Sequence, residues 1–225
     1  MKDLKTINVQ AAIFTKELIS RPDTLYYKLL TELDYILDQQ PLINNMPDDV
    51  PAEIPRIMST STDNKFQFNI AKNRMDFFIN FNEEDNDNES NYSLFKSITN
   101  TICTNVSAAI GVNRIGIITT TISKSDELKE NFMNSYFKKL DKENLTELEY
   151  RTNNVKDHKG RLINNIIKIS SGEVQVPVIE SDCLIIQLDT NNRSLFKNKS
   201  EWLDVLDHLF DSSSTAVAAK AVNGE

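Results

Sequence analysis

The chain has few of the residues from which cross-linked or reactive sites are built. Among 225 residues there are two cysteines (Cys103, Cys183), two histidines (His158, His208), five glycines and one tryptophan. Two cysteines cannot form the disulfide framework of a small secreted domain. Both lie in apolar stretches, where a free thiol packs as a small hydrophobe, and this points to a cytoplasmic setting. With five glycines the chain carries neither G-x-G-x-x-G nor G-x-x-x-x-G-K-S/T, the loops that cradle phosphates. The histidines and cysteines stand at no metal-ligand spacing, so neither a metal nor a cofactor is expected. No run approaches the ~20 apolar residues that span a bilayer. The opening Met-Lys-Asp-Leu-Lys holds no signal-peptide core.

Basic charge is also short. Lys and Arg number 25 against 33 Asp and Glu, giving a formal net charge of −8 and a pI near 4.9. A field of that sign repels nucleic acid and anionic membranes, and it leaves a protein partner, or a second copy of the chain, as the expected contact. Hydrophobic content of 40% and charged content of 26% are those of an ordinary globular chain, and the length suits one domain with a proper core.

What is present is architectural. From Tyr92 the apolar residues Leu94, Phe95, Ile98, Ile102, Val106, Ala109 and Ile110 recur three or four apart, which predicts a long helix. Gly111 stands where a left-handed residue closes such a helix. Val112 to Ile122 is then β-branched almost throughout and reads as a mid-sheet strand. Around this unit, alternation of Ile7, Val9, Ala11 and Ile13 predicts a strand over Thr6–Phe14 with one buried side. A helix follows from Asp23 or Thr24 to Pro41. Residues 41–62 carry Pro41, Pro47, Pro51 and Pro55, which exclude a long helix and predict an extended connection along a face or edge of the sheet. Asn64–Phe81 reads as a hairpin turning at Ala71–Arg74, and 83–90 as a solvated acidic loop. A helix over Asp126–Leu140 leads to paired strands, Leu145–Val155 and Arg161–Ile169, turning at Asp157–Gly160. A strand over Ser181–Asp189 and a helix from Glu201 to about Ala219 complete the chain; the tail after 211 either extends that helix or frays. No internal repeat is visible. The fold class expected is α+β, a single domain over 1–225 with a mainly antiparallel or mixed sheet and helices on one face.

Few residues invite chemistry. Asp85-x-Asp87-x-Glu89 begins like a calcium loop, but Ser90 and Lys96 occupy positions that the loop needs as Gly and Glu. Asp182 and Asp189 bracket a strong strand beside Glu180 and would serve a metal-dependent hydrolase or nuclease, although no Glu-x-Lys pattern accompanies them. The plainer reading is that they end the strand. Arg114 interrupts an apolar strand and either snorkels from an edge or pairs with a carboxylate. His208, on the last helix, and His158, in a turn, have no orienting partner in sequence, so surface roles are the expectation for both.

The stretch Arg114-Ile-Gly-Ile-Ile-Thr-Thr-Thr121 resembles the Arg-x-Gly-Leu-Arg-Tyr-x-Asn strand of a sporadically distributed bacterial family of conserved hypothetical proteins of about this length. Leu184-Ile-Ile-Gln-Leu-Asp189, followed by Leu203-Asp-Val-Leu-Asp-His208-Leu-Phe210, is similar to that family's C-terminal strand and Leu-x-x-Leu-His helix. The chain departs from the pattern at Ile118, Thr119 and Thr121. The resemblance implies a fold more than an activity, and a setting in mobile or phage-defence loci. Together these readings lead to a non-enzymatic interaction module or complex subunit, with Arg114 and His208 as candidate binding residues. The alternatives are a hydrolase using Asp182 and Asp189, and an acidic inhibitor that mimics nucleic acid.

Overall fold

Lys5–Thr15 (β1) and Val112–Ser123 (β6) run antiparallel at the middle of a nine-stranded sheet. The computed structural model describes residues 4–33, 36–47, 49–81, 88–137, 148–173, 182–197 and 201–224. Beside β1 lie Arg74–Asn80 (β5), Phe66–Ile70 (β4), Ile57–Thr60 (β3) and Leu42–Ile43 (β2). Beside β6 lie Asp182–Asn192 (β9), Arg161–Glu173 (β8) and Leu148–His158 (β7). Every neighbouring pair is antiparallel. The sheet is therefore purely antiparallel rather than mixed, and the α+β class follows.

The strand order β2-β3-β4-β5-β1-β6-β9-β8-β7 reads outward from β1/β6 the same way on both sides. β1 is followed by the helix Pro22–Leu33 (α1), then β2, β3, β4, β5 and the helix Asn88–Ala109 (α2). β6 is followed by Asp126–Tyr136 (α3), then β7, β8, β9 and the helix Leu203–Ser212 (α4). The two sides of the central pair are therefore similar in element order, with β2 an additional edge strand on the β1 side.

All five helices cover one face. Val9, Ala11, Ile13, Met75, Phe77, Ile79, Ile115 and Ile117 point to α1, α2 and α4. Ile169, Leu184, Ile186 and Leu188 point to α3 and to Thr215–Val222 (α5). Phe77 is the hub: it stacks on Phe95 of α2 (centroids 5.0 Å, 8° between planes) and meets Phe66 and Phe68 at 5.9 and 6.2 Å. Phe95 meets Phe210 of α4 edge-on at 6.0 Å. Such pairs add about 0.5–1.5 kcal/mol each beyond their burial, and they tie two helices to the sheet. Between the larger and smaller cores the helix-facing positions of β6 are Thr119 and Thr121, both buried.

Several expectations shift. A register slip between Thr6 and Asn8 turns Ile7 away from its alternating partners, into a small cluster with Ile122, Cys183 and Ile185 on the other face. The proline-rich connection supplies β2 and β3 and so forms the sheet's edge. The last helix is two: Ser213 Oγ donates to Leu209 O and Phe210 O, and Ser214 is extended (ψ 158°), which ends α4 and caps α5. The tail does not fray, because Ala218, Ala221 and Val222 are buried against the smaller core. The acidic loop's calcium-like positions Asp85 and Asp87 lie outside the described residues. Among the described residues no helix is long and apolar enough to cross a membrane.

Gly111 has φ +80°, and a Cβ there would meet the Lys16 Cβ at 3.3 Å. Gly111→Ala should lower unfolding free energy by about 1–2 kcal/mol, the cost of holding an L-residue left-handed. Urea titration followed by circular dichroism measures it.

Candidate functional site

Since the helices take one face, the other face of the sheet is built from the alternate positions of each strand, and among the described residues no helix lies on it. Cross-strand rows define its surface. One row runs Asp76, Ala12, Gly116, Asn191, Asn164 across β5, β1, β6, β9 and β8. The next contains Arg74, Phe14 and Arg114. The middle of the first row holds the two smallest side chains, Ala12 and Gly116, both buried. A Cβ at Gly116 would stand 3.3 Å from the Asn191 Cβ.

Two polar networks flank Ala12 and Gly116. On one side Asp76, 8% exposed, accepts from Gln10 Nε2 at 2.7 Å and from Arg74 Nε at 2.8 Å, with Arg74 Nη2 at 2.7 Å. On the other, Asn191, 2% exposed, accepts from Arg114 Nη2 at 2.8 Å and Asn164 Nδ2 at 2.9 Å, and donates to Asp189 Oδ1 at 2.8 Å. Both guanidiniums also lie over the Phe14 ring, Arg74 at 5.3 Å and Arg114 at 5.4 Å. Phe14 is thereby held between two cations, a favourable arrangement for an aromatic face. Outward, the face continues with Asn8, which donates to Asn80 Oδ1 at 2.7 Å, and with Gln67, Asn69, Gln187 and Asn153, interleaved with Phe78, Ile118, Ile166 and Ile185.

Charge on this face is mixed. Arg74, Arg114, Arg151 and Lys168 stand with Asp76, Asp189, Glu149 and Asp157, and Lys168 pairs with Glu149 at 2.9 Å. An inhibitor mimicking nucleic acid needs one sign concentrated on a surface, and this surface has both.

The structure places the residues singled out in sequence as follows. Arg114 is on a central strand, not an edge, and reaches a carboxylate only through Asn191. Its Nε is enclosed without an acceptor. Asp189 is locked into the same network. Asp182 is seven residues away on β9, about 23 Å at strand rise, a span that no single ion bridges. Glu180 lies outside the described residues. Among the described residues no three His, Cys, Asp or Glu side chains gather closely enough to hold a metal ion. Cys103 and Cys183 are free and buried, and burial pushes the Cys103 thiol up, away from nucleophilic use.

The two histidines meet, which sequence did not indicate. His158, at the end of the β7–β8 hairpin, stacks on His208 of α4 with ring centroids 3.9 Å apart and 8° between planes. His208 lies within 3.4 Å of Ser212 Oγ. Partial burial, the neighbouring His158 and Lys156 lower the His208 pKa, against the opposing pull of Asp211. Elsewhere on the helix side, a cavity of about 460 Å³ is lined by Thr6, Tyr92, Thr119, Ser213 and Thr215, among others. Burial raises the Tyr92 hydroxyl to about 12.

What sequence reading missed is the partnership of Gln10, Phe14, Arg74, Asp76, Asn164 and Asn191. The available signal was period-two spacing: Arg74-x-Asp76-x-Phe78-x-Asn80 and Gln187-x-Asp189-x-Asn191 each put polar groups on the side opposite the hydrophobes.

No protein-family model matches the chain, and no curated protein matches it. Among solved structures, it overlays on a rolling-circle replication initiator protein from Geobacillus stearothermophilus at 10% identity. That overlay covers 98% of this chain and 78% of the other, with a TM-score of 0.32. It also overlays on Clostridium acetobutylicum aspartate kinase at 8% identity, covering 94% of this chain and 34% of the kinase, with a TM-score of 0.22. Overlays at these scores carry no functional information.

A histidine whose folded pKa is depressed binds its proton more readily in the unfolded chain. Stability is therefore full above the ordinary histidine range and falls as pH drops through the lowered value. His208→Gln should flatten the dependence of melting temperature on pH between about 7 and 5. Thermal melts across that interval test it.

Proposed function

We propose that this protein is a non-enzymatic interaction subunit that docks another protein on the helix-free face of its sheet. The observation that carries this reading is the pair of polar networks at the centre of that face. Two interlocked networks spend nearly all their polar groups on one another, which holds a surface in shape and leaves no group poised to attack a bond. The face is also large enough. Nine strands at about 4.8 Å and the seven-residue register shared by β1 and β5 give roughly 900 Å², against about 800 Å² per partner in a stable interface.

Composition favours protein over nucleic acid as the occupant. The positive side chains of the face are balanced by carboxylates, and phosphate backbones need an excess of Lys and Arg. Asn and Gln between half-buried Ile and Phe offer donors and acceptors alongside apolar contact, the mixture found in protein interfaces. Among the described residues no converged carboxylates support the hydrolase reading.

The expected outcome is that a purified partner, first captured with the wild-type chain, binds Gln187→Arg and Asn164→Arg at least tenfold more weakly in calorimetry. Thr104→Arg, exposed on α2, should bind unchanged. Equal affinity for all three variants would place the contact elsewhere. A chain that stays monomeric and enriches no protein sinks the reading.

A further inference from the structure

The order of side chains across the open face has a symmetry that an unrelated partner would not require. Its middle row runs Gln67, Phe78, Gln10, Ile118, Asp189, Ile166, Asn153 across β4, β5, β1, β6, β9, β8 and β7. Ile118 is central to that row. Outward from it, on either side, come a polar side chain (Gln10 or Asp189), a half-buried hydrophobe (Phe78 or Ile166) and an amide (Gln67 or Asn153). The neighbouring row is ordered in the same way about Thr120. Asn8 and Gln187 flank it, with Asn80 and Lys168 beyond. Both rows therefore read alike in either direction from β6.

A surface ordered in this way is complementary to itself. A twofold axis laid along β6, midway between two facing sheets, reverses each row of one copy against the other. Phe78, two strands from β6 on one side, then meets Ile166, two strands from it on the other, each about 9.6 Å from the axis at the usual strand spacing. Ile118 meets its own copy. Amide meets amide where Asn8 faces Gln187 and Gln67 faces Asn153, and the Gln10 amide faces the Asp189 carboxylate. The strands of the two copies run nearly parallel, which is the aligned class of sheet packing.

We propose that the occupant of the helix-free face is a second copy of this chain, docked face to face about a twofold axis along β6. The inference rests on the docking reading above and names its partner. Charge directs the contact to this face. The chain carries −8, so two copies repel across most of their surface. Here cations are answered locally: Arg74 by Asp76, Lys168 by Glu149, and Arg114, through Asn191, by Asp189. Two copies meet at this plane without an excess of one sign. The area also suffices, since two such faces together offer roughly 1,800 Å², within the range of stable interfaces.

Sedimentation velocity on the full chain tests it through Thr120, which is half-buried and lies on the axis. A residue on the axis meets its own copy, so one substitution sets two like charges opposite each other. The wild type should sediment as a dimer across a dilution series. Thr120→Lys and Thr120→Glu should each dimerise at least tenfold more weakly. An equimolar mixture of the two should recover the dimer, because Lys then faces Glu, and that recovery also shows both variants to be folded. Gln187→Arg, exposed and off the axis, should weaken the dimer too and gives a reading where the Thr120 variants misfold. A dimer that survives all three substitutions lies elsewhere on the chain and overturns the inference. So does a mixture that stays monomeric while both Thr120 variants keep the wild-type circular dichroism. A wild-type monomer that binds a different protein, and loses it in Gln187→Arg, overturns this inference and leaves the docking reading standing.

Discussion

The pairing of β1 with β6 is the constraint on which the rest of the molecule depends. Among the described residues it is the only strand pair that joins the two sides of the sheet, and its register, Ala11 opposite Ile117 and Ala12 opposite Gly116, aligns the cross-strand rows on both faces. On the helix side it brings Val9, Ala11 and Ile13 beside Ile115 and Ile117, making one floor for α2 and α4. On the other side the same register brings Ala12 and Gly116 together between the two polar networks. A slip of one residue would exchange the two faces and abolish both. The core and the candidate site are therefore consequences of one alignment.

The two sides of the sheet are filled differently. The β1 half is filled by stacked phenylalanines, with Phe77 meeting Phe66, Phe68 and Phe95. The β6 half is filled by aliphatic residues of β8 and β9, with the rings of Phe132, Tyr136 and Tyr150 at its outer side. Between them the threonines of β6 interrupt the apolar floor. Thr121 shares a hydroxyl contact with Thr6, which in turn meets Thr215 of α5 at 2.9 Å. Hydroxyls at that seam separate two hydrophobic clusters that the continuous sheet would otherwise join. The site is unequal in the same way. Its β5 side is an ion pair, Arg74 with Asp76, and its β9 side is an amide relay from Arg114 through Asn191 to Asp189.

Elements with a strong period were legible in the sequence. The α2 helix, its closing Gly111 and β6 were placed to within a few residues, because a buried helix stripe and a buried strand each repeat in a way that only one conformation satisfies. The His158–Arg161 turn was legible too, with Lys159 and Gly160 at positive φ as a tight hairpin requires. The break at Ser213 was not, since the helical pattern continues across it and the interruption lies in hydroxyl bonds back to Leu209 and Phe210. Nor was the site. Asp76 and Asn191 are ordinary polar residues in sequence, and what distinguishes them is burial and cross-strand neighbours that local spacing does not encode. The stacking of His158 on His208 joins residues fifty positions apart and left no local trace.

The two ends of the sheet are finished differently. At one end the edge strand β2 is two residues long, too short to template a further strand. At the other, the eleven-residue β7 alternates Glu149, Arg151, Asn153 and Asp157 on one side and Lys156 on the other, a fringe of charge that resists a neighbouring backbone. Lateral growth of the sheet is thus discouraged at one margin by the shortness of the edge strand and at the other by hydrated ions. A molecule sealed sideways in this manner can carry a broad, amide-rich plane at high concentration in a cell without stacking into fibres.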